Sequence, residues 1–191
     1  MPEFRALAAI GFLILGATAA GADPAITRYE PKAAAEPTLL RVEVIDGVRF
    51  RDIETKATFR LFGIDACAPR QMASLGRQAW PCGTMATAWL VKATLNAWVA
   101  CVTIRIDGDE HVARCSTARH PDLGAAMLDE GVAVLVPANS SDAPVAAYAA
   151  AEARARKGYL GLWASAFEMP WEWRARHGDR TLAGNGMEAA P

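Results

Sequence analysis

The stretch from Thr58 to Ala68 constrains this chain most, because it combines an apolar strand pattern with two charges. Its sequence, TFRLFGIDACA, places Arg60 inside the apolar run and Asp65 near its end. Burying an arginine and a carboxylate costs free energy unless each has a partner or a task. The stretch therefore predicts a buried strand that ends in a turn with either a functional role or an internal ion pair.

Two further strands precede this one. Residues 38–45 and residues 48–53 each alternate apolar and polar side chains. The Asp46-Gly47 pair between them is a turn signal, and residues 57–64 form the third strand after a polar turn. Three short consecutive strands in a meander predict an all-β core, in the form of a small closed barrel.

The second half of the chain combines helical patterns with one more hairpin. Strands at residues 98–106 and 111–115 flank a turn centred on Gly108. Strands followed by separate helices predict an α+β fold. Three helices are predicted, at residues 83–96, at residues 122–130, and from a cap at Ser141 or Asp142 to Lys157.

Two segments lack a clear period. Residues 67–81 contain two prolines and a glycine, and they are predicted to be irregular, with Arg70 and Gln71 in a solvated loop. Residues 162–173 are rich in aromatic side chains and are interrupted by Pro170. This density of aromatics predicts that the segment packs the C-terminus onto the core rather than stacking on bases.

The N-terminus has the pattern of a signal peptide. Arg5 precedes an uncharged apolar run from Ala6 to Ala19, and Ala20-Gly21-Ala22 is an A-x-A site. We predict a signal peptide at residues 1–22 that is cleaved after Ala22. The protein would then be periplasmic or secreted, with no membrane attachment after cleavage. An uncleaved membrane anchor is the alternative, although the run is short for a span.

The remaining chain suits one domain, because 191 residues in total leave room for a single core. The predicted domain covers residues 38–175. Residues 23–37 are rich in alanine, proline and charge and predict a disordered leader, and residues 176–191 predict a disordered tail.

The four cysteines predict two disulfides, since export permits them and the count is even. If Gly108 is the centre of its hairpin, Cys101 and Cys115 face each other. That leaves Cys67 to pair with Cys82, which would tie the turn after Asp65 to the start of the first helix. Four buried free thiols are the alternative.

Composition argues against two classes of function. The formal net charge is −1, whereas nucleic-acid binders usually carry a basic excess, so nucleic acid is a possible partner that the charge does not favour. The three histidines stand at no metal-ligand spacing and no C-x-x-C occurs, which argues against a zinc site.

Four stretches together make the chain resemble the staphylococcal-nuclease-like (thermonuclease) family in its exported bacterial form. VIDGVRF stands where the family has V-I-D-G-D-T-F, and FRLFGIDACA where it has F-R-L-x-G-I-D-A-P-E. DLGAAMLDEGVA is similar to D-L-N-x-x-L-V-x-x-G-x-A. EARARKGYLGLWASAF with the trailing MPWEWR is similar to the family's C-terminal motif and its P-W-E-W-R extension. The stretches begin at residues 44, 59, 122 and 152.

The resemblance implies an OB-fold, a five-stranded barrel with about three α-helices. It also implies phosphodiester hydrolysis. In that reaction two arginines meet the negative charge that develops on the phosphate oxygens. A Ca²⁺ ion held mainly by carboxylates adds positive charge, and a glutamate activates or orients the attacking water.

Carried over position by position, the resemblance assigns the first arginine to Arg60 and one calcium carboxylate to Asp65. The second calcium carboxylate falls on Val48, and the glutamate falls on Ala68. The second arginine falls on Glu110, which has the opposite charge. Three of the five expected functional positions are therefore replaced, while Asp46 is kept at a position that mostly shapes the turn.

Replacement groups for these three positions can be named from charge alone. Asp52, Asp107 and Asp109 are candidates for a metal, and Arg49 or Arg70 for phosphate. Nothing in the sequence directs any of them to the site. The same residues Arg60 and Asp65 would serve, without such replacements, as an internal ion pair of the barrel.

Three functions follow from this pattern. The first is an exported nuclease-fold domain without nuclease activity, acting as a binding or structural module that needs no cofactor. The second is a Ca²⁺-dependent phosphodiesterase that cleaves DNA or RNA with a rearranged site. The third is an OB-fold binder of polyanions or single-stranded nucleic acid.

Overall fold

A computed structural model of the chain describes residues 36–137 and 146–177. The predicted signal peptide, nearly all of the leader, the cap at Ser141 or Asp142, and the tail after His177 lie outside these residues. Within them the chain forms short strands and four α-helices. The strands are β1 (Thr38–Leu40), β2 (Val42–Val44), β3 (Arg49–Asp52), β4 (Thr58–Leu61), β5 (Ile64–Asp65), β6 (Ala73–Leu75), β7 (Gln78–Trp80), β8 (Val99–Asp107), β9 (Glu110–Ser116) and β10 (Val134–Leu135). The helices are α1 (Cys82–Thr94), α2 (Leu123–Asp129), α3 (Ala146–Lys157) and α4 (Pro170–His177).

Six strands form one nearly closed barrel sheet in the order β1-β8-β9-β4-β3-β2. The two edge strands, β1 and β2, are separated only by Arg41, so a single bent stretch of chain forms both edges. Strands β4 and β9 run parallel and the other neighbours are antiparallel. The sequence prediction of an α+β fold with an OB-type barrel is confirmed.

The barrel interior is filled by the apolar positions that the strand alternation predicts. Phe50 of β3, Leu61 of β4 and Val99 of β8 are fully or almost fully buried, and Leu90 of α1 and Leu128 of α2 cover the same core. Alternate residues of each strand face the interior because successive side chains point to opposite faces. Burial of these side chains in the barrel therefore determines which strand residues point out of the barrel, where they can form a site.

The β8–β9 hairpin differs from its prediction in a way that preserves the cysteine pairing. Its turn contains two residues, Gly108 and Asp109, so Asp107 pairs with Glu110. A bulge at Ile104 adds one residue to β8 and shifts the register back. Cys101 and Cys115 consequently lie directly opposite each other and form a disulfide with a Cα–Cα distance of 4.1 Å.

The second disulfide joins Cys67 to Cys82, the first residue of α1, with a Cα–Cα distance of 5.7 Å. The described residues contain no free cysteine. Two disulfides in one small domain are typical of proteins that fold in an oxidising, extracellular-type compartment. In the described part of the chain, no helix is long and apolar enough to span a membrane.

Two sequence predictions were wrong at the level of secondary structure. Residues 67–81 are not all irregular, since they contain the β6–β7 hairpin, and Ser74 of that hairpin forms a bridge with Ala166. Pro170 does not break the aromatic segment but begins the fourth helix, α4. Proline suits the first turn of a helix, where its missing N–H has no intrahelical partner.

Candidate functional site

A cavity of about 210 Å³ lies between the β2–β3 turn, the β4–β5 segment, the start of β9 and helix α4. All five positions that the resemblance assigns to catalysis or metal binding line this cavity. Seven other residues complete its wall. The lining residues are Asp46, Gly47, Val48, Arg49, Arg60, Asp65, Ala66, Cys67, Ala68, Pro69, Glu110 and Arg174.

The β4–β5 segment positions the two charges that the sequence singled out. Arg60 lies in β4, beside Arg49 of β3 on one side and Val112 of β9 on the other. Gly63 has a φ of +71°, which bends the chain between β4 and β5, a conformation that glycine adopts at little cost. After this bend β5 pairs with β10, and Asp65 points back toward Arg60.

Asp65 is buried, with 2% of its surface exposed, and it is held by two arginines. Its Oδ1 atom lies 3.7 Å from Nη2 of Arg60 and accepts a hydrogen bond of 3.0 Å from the amide of Ala66. Its Oδ2 atom accepts a hydrogen bond from Nη2 of Arg174 in α4. A buried carboxylate needs such partners, so this arrangement satisfies Asp65 within the protein.

Asp46 closes the β2–β3 turn and has little acceptor capacity to spare. Its Oδ1 accepts hydrogen bonds from the amides of Val48 at 3.0 Å and Arg49 at 2.9 Å. Its Oδ2 accepts from Nε of Arg49 at 2.8 Å and lies 2.7 Å from Nη2 of the same side chain. Burial acts to lower the pKa of Arg49, but the hydrogen bond and charge of Asp46, together with the charges of Glu110 and Asp65, raise that pKa overall.

The residues of the cavity do not fit a calcium ion. Ca²⁺ takes six to eight oxygen ligands. Where the resemblance implies a second calcium carboxylate and a glutamate that activates water, the cavity wall has the apolar side chains of Val48 and Ala68. Asp65 is paired with two arginines. Among residues 36–137 and 146–177, no group of three or more His, Cys, Asp or Glu side chains could hold a metal ion.

The carboxylates suggested as replacement ligands lie elsewhere. Asp52 accepts hydrogen bonds from the amide and the hydroxyl of Thr55, at 3.0 Å and 2.6 Å, and shapes its own turn. Asp107 is paired with Arg105 at 2.7 Å. Neither lines the cavity, and Asp109 is also absent from its wall. Of the suggested phosphate-binding arginines, Arg49 lines the cavity, whereas the exposed Arg70 does not.

The loop after Asp65 is fixed from three sides. The Cys67–Cys82 disulfide ties it to α1. Gly83 lies so close that a Cβ atom there would come within 1.8 Å of the Ala68 carbonyl oxygen. The amide of Ala68 donates to Oε1 of Gln71 at 3.0 Å. The prediction that Gln71 is solvated was wrong, because this side chain is fully buried.

The chain before helix α4 and the first part of that helix, residues 165–174, form a strap across this loop. Nε2 of Gln71 donates to the backbone oxygen of Glu168 at 2.7 Å. Ser74 and Ala166 exchange two backbone hydrogen bonds of 2.9 Å. The strap brings Arg174 to the cavity, a residue to which the sequence analysis gave no role. Its only signal was its place in the Pro170–Arg174 run of the family's C-terminal extension.

The cavity therefore holds three arginines against three acids. Arg49, Arg60 and Arg174 offer hydrogen-bond donors, while Asp46 and Asp65 are already engaged by those arginines. Glu110 adds a negative charge where a phosphate would need a positive one. Val48 and Ala68 provide only apolar wall. The arrangement can contact an anionic group, but it contains neither a metal-ligand set nor a carboxylate at the position of the base.

The family comparison agrees with this geometry. A family model described as staphylococcal nuclease homologue matches residues 58–165, which is more than half of the chain. The match includes Arg60, Asp65, Ala68 and Glu110, whereas Val48 and Arg174 lie outside it. No curated protein sequence matches the chain.

Proposed function

The chain belongs to the staphylococcal nuclease homologue family, and we propose that it is an exported member that does not hydrolyse phosphodiesters and acts as a binding or structural domain. One observation carries the proposal. In the cavity around Arg60 and Asp65, the second calcium ligand, the water-activating base and the second arginine are replaced by Val48, Ala68 and Glu110.

The energetic argument rests on what each replaced group supplies. A donor aimed at the developing charge in a transition state contributes about 3 kcal/mol, and its removal lowers the rate about 10²–10³-fold. A general base contributes about 10²–10⁴-fold. The valine at position 48 cannot ligate a metal, and the alanine at position 68 cannot move a proton. Although such losses are not additive, their combination removes most of the catalytic power of a metal-dependent nuclease.

A calcium-dependent nuclease assay tests this proposal. The chain lacking residues 1–22 should cleave DNA and RNA no faster with Ca²⁺ than with a chelator. Arg60→Ala should give the same background rate, because no transition state relies on that guanidinium. Calcium-stimulated cleavage that Arg60→Ala abolishes would sink the proposal and establish the rearranged phosphodiesterase instead.

Binding of a polyanion or single-stranded nucleic acid is a second candidate function. The observation in its favour is the presence of Arg49, Arg60 and Arg174 around one cavity on an OB-type barrel. Binding of a labelled oligonucleotide that weakens steeply with salt would support this candidate, because released counterions give such binding its salt dependence. Salt-independent binding or no binding would favour a role in contacts with protein.

We propose that the protein acts in the periplasm or outside the cell, on the basis of its N-terminal sequence and its disulfides. The disulfides Cys67–Cys82 and Cys101–Cys115 suit an oxidising compartment, in agreement with the signal-peptide pattern at residues 1–22. Expression in a bacterial host with N-terminal sequencing of the periplasmic or secreted fraction should give a mature chain that begins at Asp23. A membrane-bound chain that still begins at Met1 would favour an uncleaved anchor.

A further inference from the structure

The contact between Arg174 and Asp65 joins two parts of the chain that are 109 residues apart. Asp65 stands at a position where the family resemblance places a calcium carboxylate. Nη2 of Arg174 bonds to its Oδ2 atom, while Arg60 and the amide of Ala66 occupy the side of Oδ1. A cationic group of the protein therefore already meets the carboxylate that a metal ion would need.

Arg174 is delivered to this place by contacts that do not depend on its charge. The strap is hydrogen-bonded to the β6–β7 hairpin through Ser74 and Ala166, and to the loop after Asp65 through Gln71 and Glu168. Trp80 of the same hairpin donates from Nε1 to the hydroxyl of Ser165 at 3.0 Å. Since these contacts position the start of α4, the guanidinium reaches Asp65 as a consequence of the fold.

We propose that the guanidinium of Arg174 replaces the divalent cation at Asp65, so that the cavity is neutralised by the protein itself and excludes Ca²⁺. The inference concerns the same cavity as the proposed function and deepens it, because it explains how the site stays stable without metal. The two can fail separately, because cation binding and phosphodiester hydrolysis are measured independently.

The charges of the cavity wall favour a guanidinium over a divalent metal ion beside Asp65. Replacing two carboxylates by Val48 and Ala68 removes two negative charges from the place where the resemblance puts the metal. The wall still contains three carboxylates, those of Asp46, Asp65 and Glu110. Three guanidiniums already balance them, those of Arg49, Arg60 and Arg174, so an added divalent ion would leave an excess of positive charge. The guanidinium of Arg174 completes this balance without a metal, and its planar donors suit carboxylate oxygens.

The test restores the two missing carboxylates, in one case with Arg174 present and in the other with Arg174 replaced. The background is the double variant Val48→Asp with Ala68→Glu, which returns two carboxylates to the cavity wall. Adding Arg174→Gln should raise its affinity for Ca²⁺, measured by calorimetry, by at least about tenfold, equivalent to about 1.4 kcal/mol. Arg174→Lys keeps the positive charge and should leave calcium binding as weak as in the double variant.

A matched control comes from the same helix. Arg176 pairs with Glu168 and does not line the cavity, so Arg176→Gln removes the same charge from α4 without touching Asp65. It should not improve calcium binding in the double variant. Equal affinity with and without Arg174→Gln, or an equal gain from Arg176→Gln, would overturn the inference.

The unsubstituted protein supplies a readout that does not depend on the variants folding. The Nε–H resonance of Arg174 should not shift when Ca²⁺ is added, since its partner Asp65 is already occupied. A saturable calcium-dependent shift would contradict the cation replacement. Calcium binding without hydrolysis would leave the proposed function intact, and hydrolysis without calcium binding would overturn that function alone.

Discussion

Calcium-dependent cleavage of DNA is expected to appear when four positions are changed together: Val48→Asp, Ala68→Glu, Glu110→Arg and Arg174→Gln. The first returns the second calcium carboxylate, the second returns the glutamate that activates water, and the third returns the second arginine. The fourth frees Asp65 from the guanidinium that occupies it. All four side chains line one cavity on an intact barrel, so the restored groups would converge on the same point. We expect a rate at least about 100-fold above that of the unsubstituted chain.

The design of this series separates the contributions of the groups. Without Glu110→Arg, the remaining triple variant should bind calcium but cleave about 10²–10³-fold more slowly, since it lacks one transition-state donor. Without Arg174→Gln, the variant should bind calcium weakly and gain little activity. Rates in an oligonucleotide cleavage assay, compared with and without chelator, measure both effects. Calcium binding by the quadruple variant with no gain in cleavage would show that the scaffold itself no longer supports the reaction.

Removing either disulfide is the second change with a large expected effect. The Cys67–Cys82 bond closes a loop with a sequence separation of 15 residues, and the Cys101–Cys115 bond one of 14 residues. In the chain-entropy model a loop of this size contributes about 3 kcal/mol to the free energy of unfolding. Cys67→Ala with Cys82→Ala, or Cys101→Ala with Cys115→Ala, should each lower it by about that amount in urea denaturation.

The two pairs differ in what else they should change. Cys67 lies in the cavity wall, so loss of its bond to Cys82 should increase hydrogen exchange at the Ala66 and Ala68 amides. The Cys101–Cys115 bond lies in the β8–β9 hairpin, away from the cavity wall. Its loss should therefore leave the Ala66 and Ala68 amides protected from exchange. Four reactive thiols in the denatured but unreduced protein would contradict both disulfides, and with them this prediction.

The fold was predictable because its signals are local. The alternation of residues 38–64, the Asp46-Gly47 turn and the glycine in the β8–β9 turn each act over a few residues. Together they define the strands, and the known handedness and pairing rules limit how such strands can close. The predicted pairing of Cys101 with Cys115 is correct although the sequence predicts neither the two-residue turn nor the bulge. The turn moves the register by one residue and the bulge moves it back, so the two shifts cancel.

The site was only partly predictable, because its remaining parts depend on contacts between distant residues. The positions Val48, Arg60, Asp65, Ala68 and Glu110 come from the resemblance to the family, and the structure brings all of them to one cavity. Gln71 and Arg174 depend on contacts across 97 and 109 residues. No period or spacing in the sequence encodes such contacts, so the sequence predicts a solvated side chain for the buried Gln71 and no role for Arg174.

The proposed replacement of the metal by Arg174 gives Arg60 and Asp65 a structural role that does not require catalysis. Asp65 is almost fully buried, and its charge is stabilised by Arg60 and Arg174. Removing Asp65 or one of its arginines would leave an unbalanced charge in this buried cluster, which would destabilise the fold. Retention of this pair is therefore expected on structural grounds alone.

The most direct test of the central claim is single-turnover cleavage of a labelled oligonucleotide by an excess of the unsubstituted protein, with Ca²⁺ and with chelator. Product release and substrate competition do not limit this measurement, so it reports the chemical step. The site described above predicts the same background rate in both conditions and in Arg60→Ala. A calcium-dependent rate above background that disappears in Arg60→Ala would contradict it.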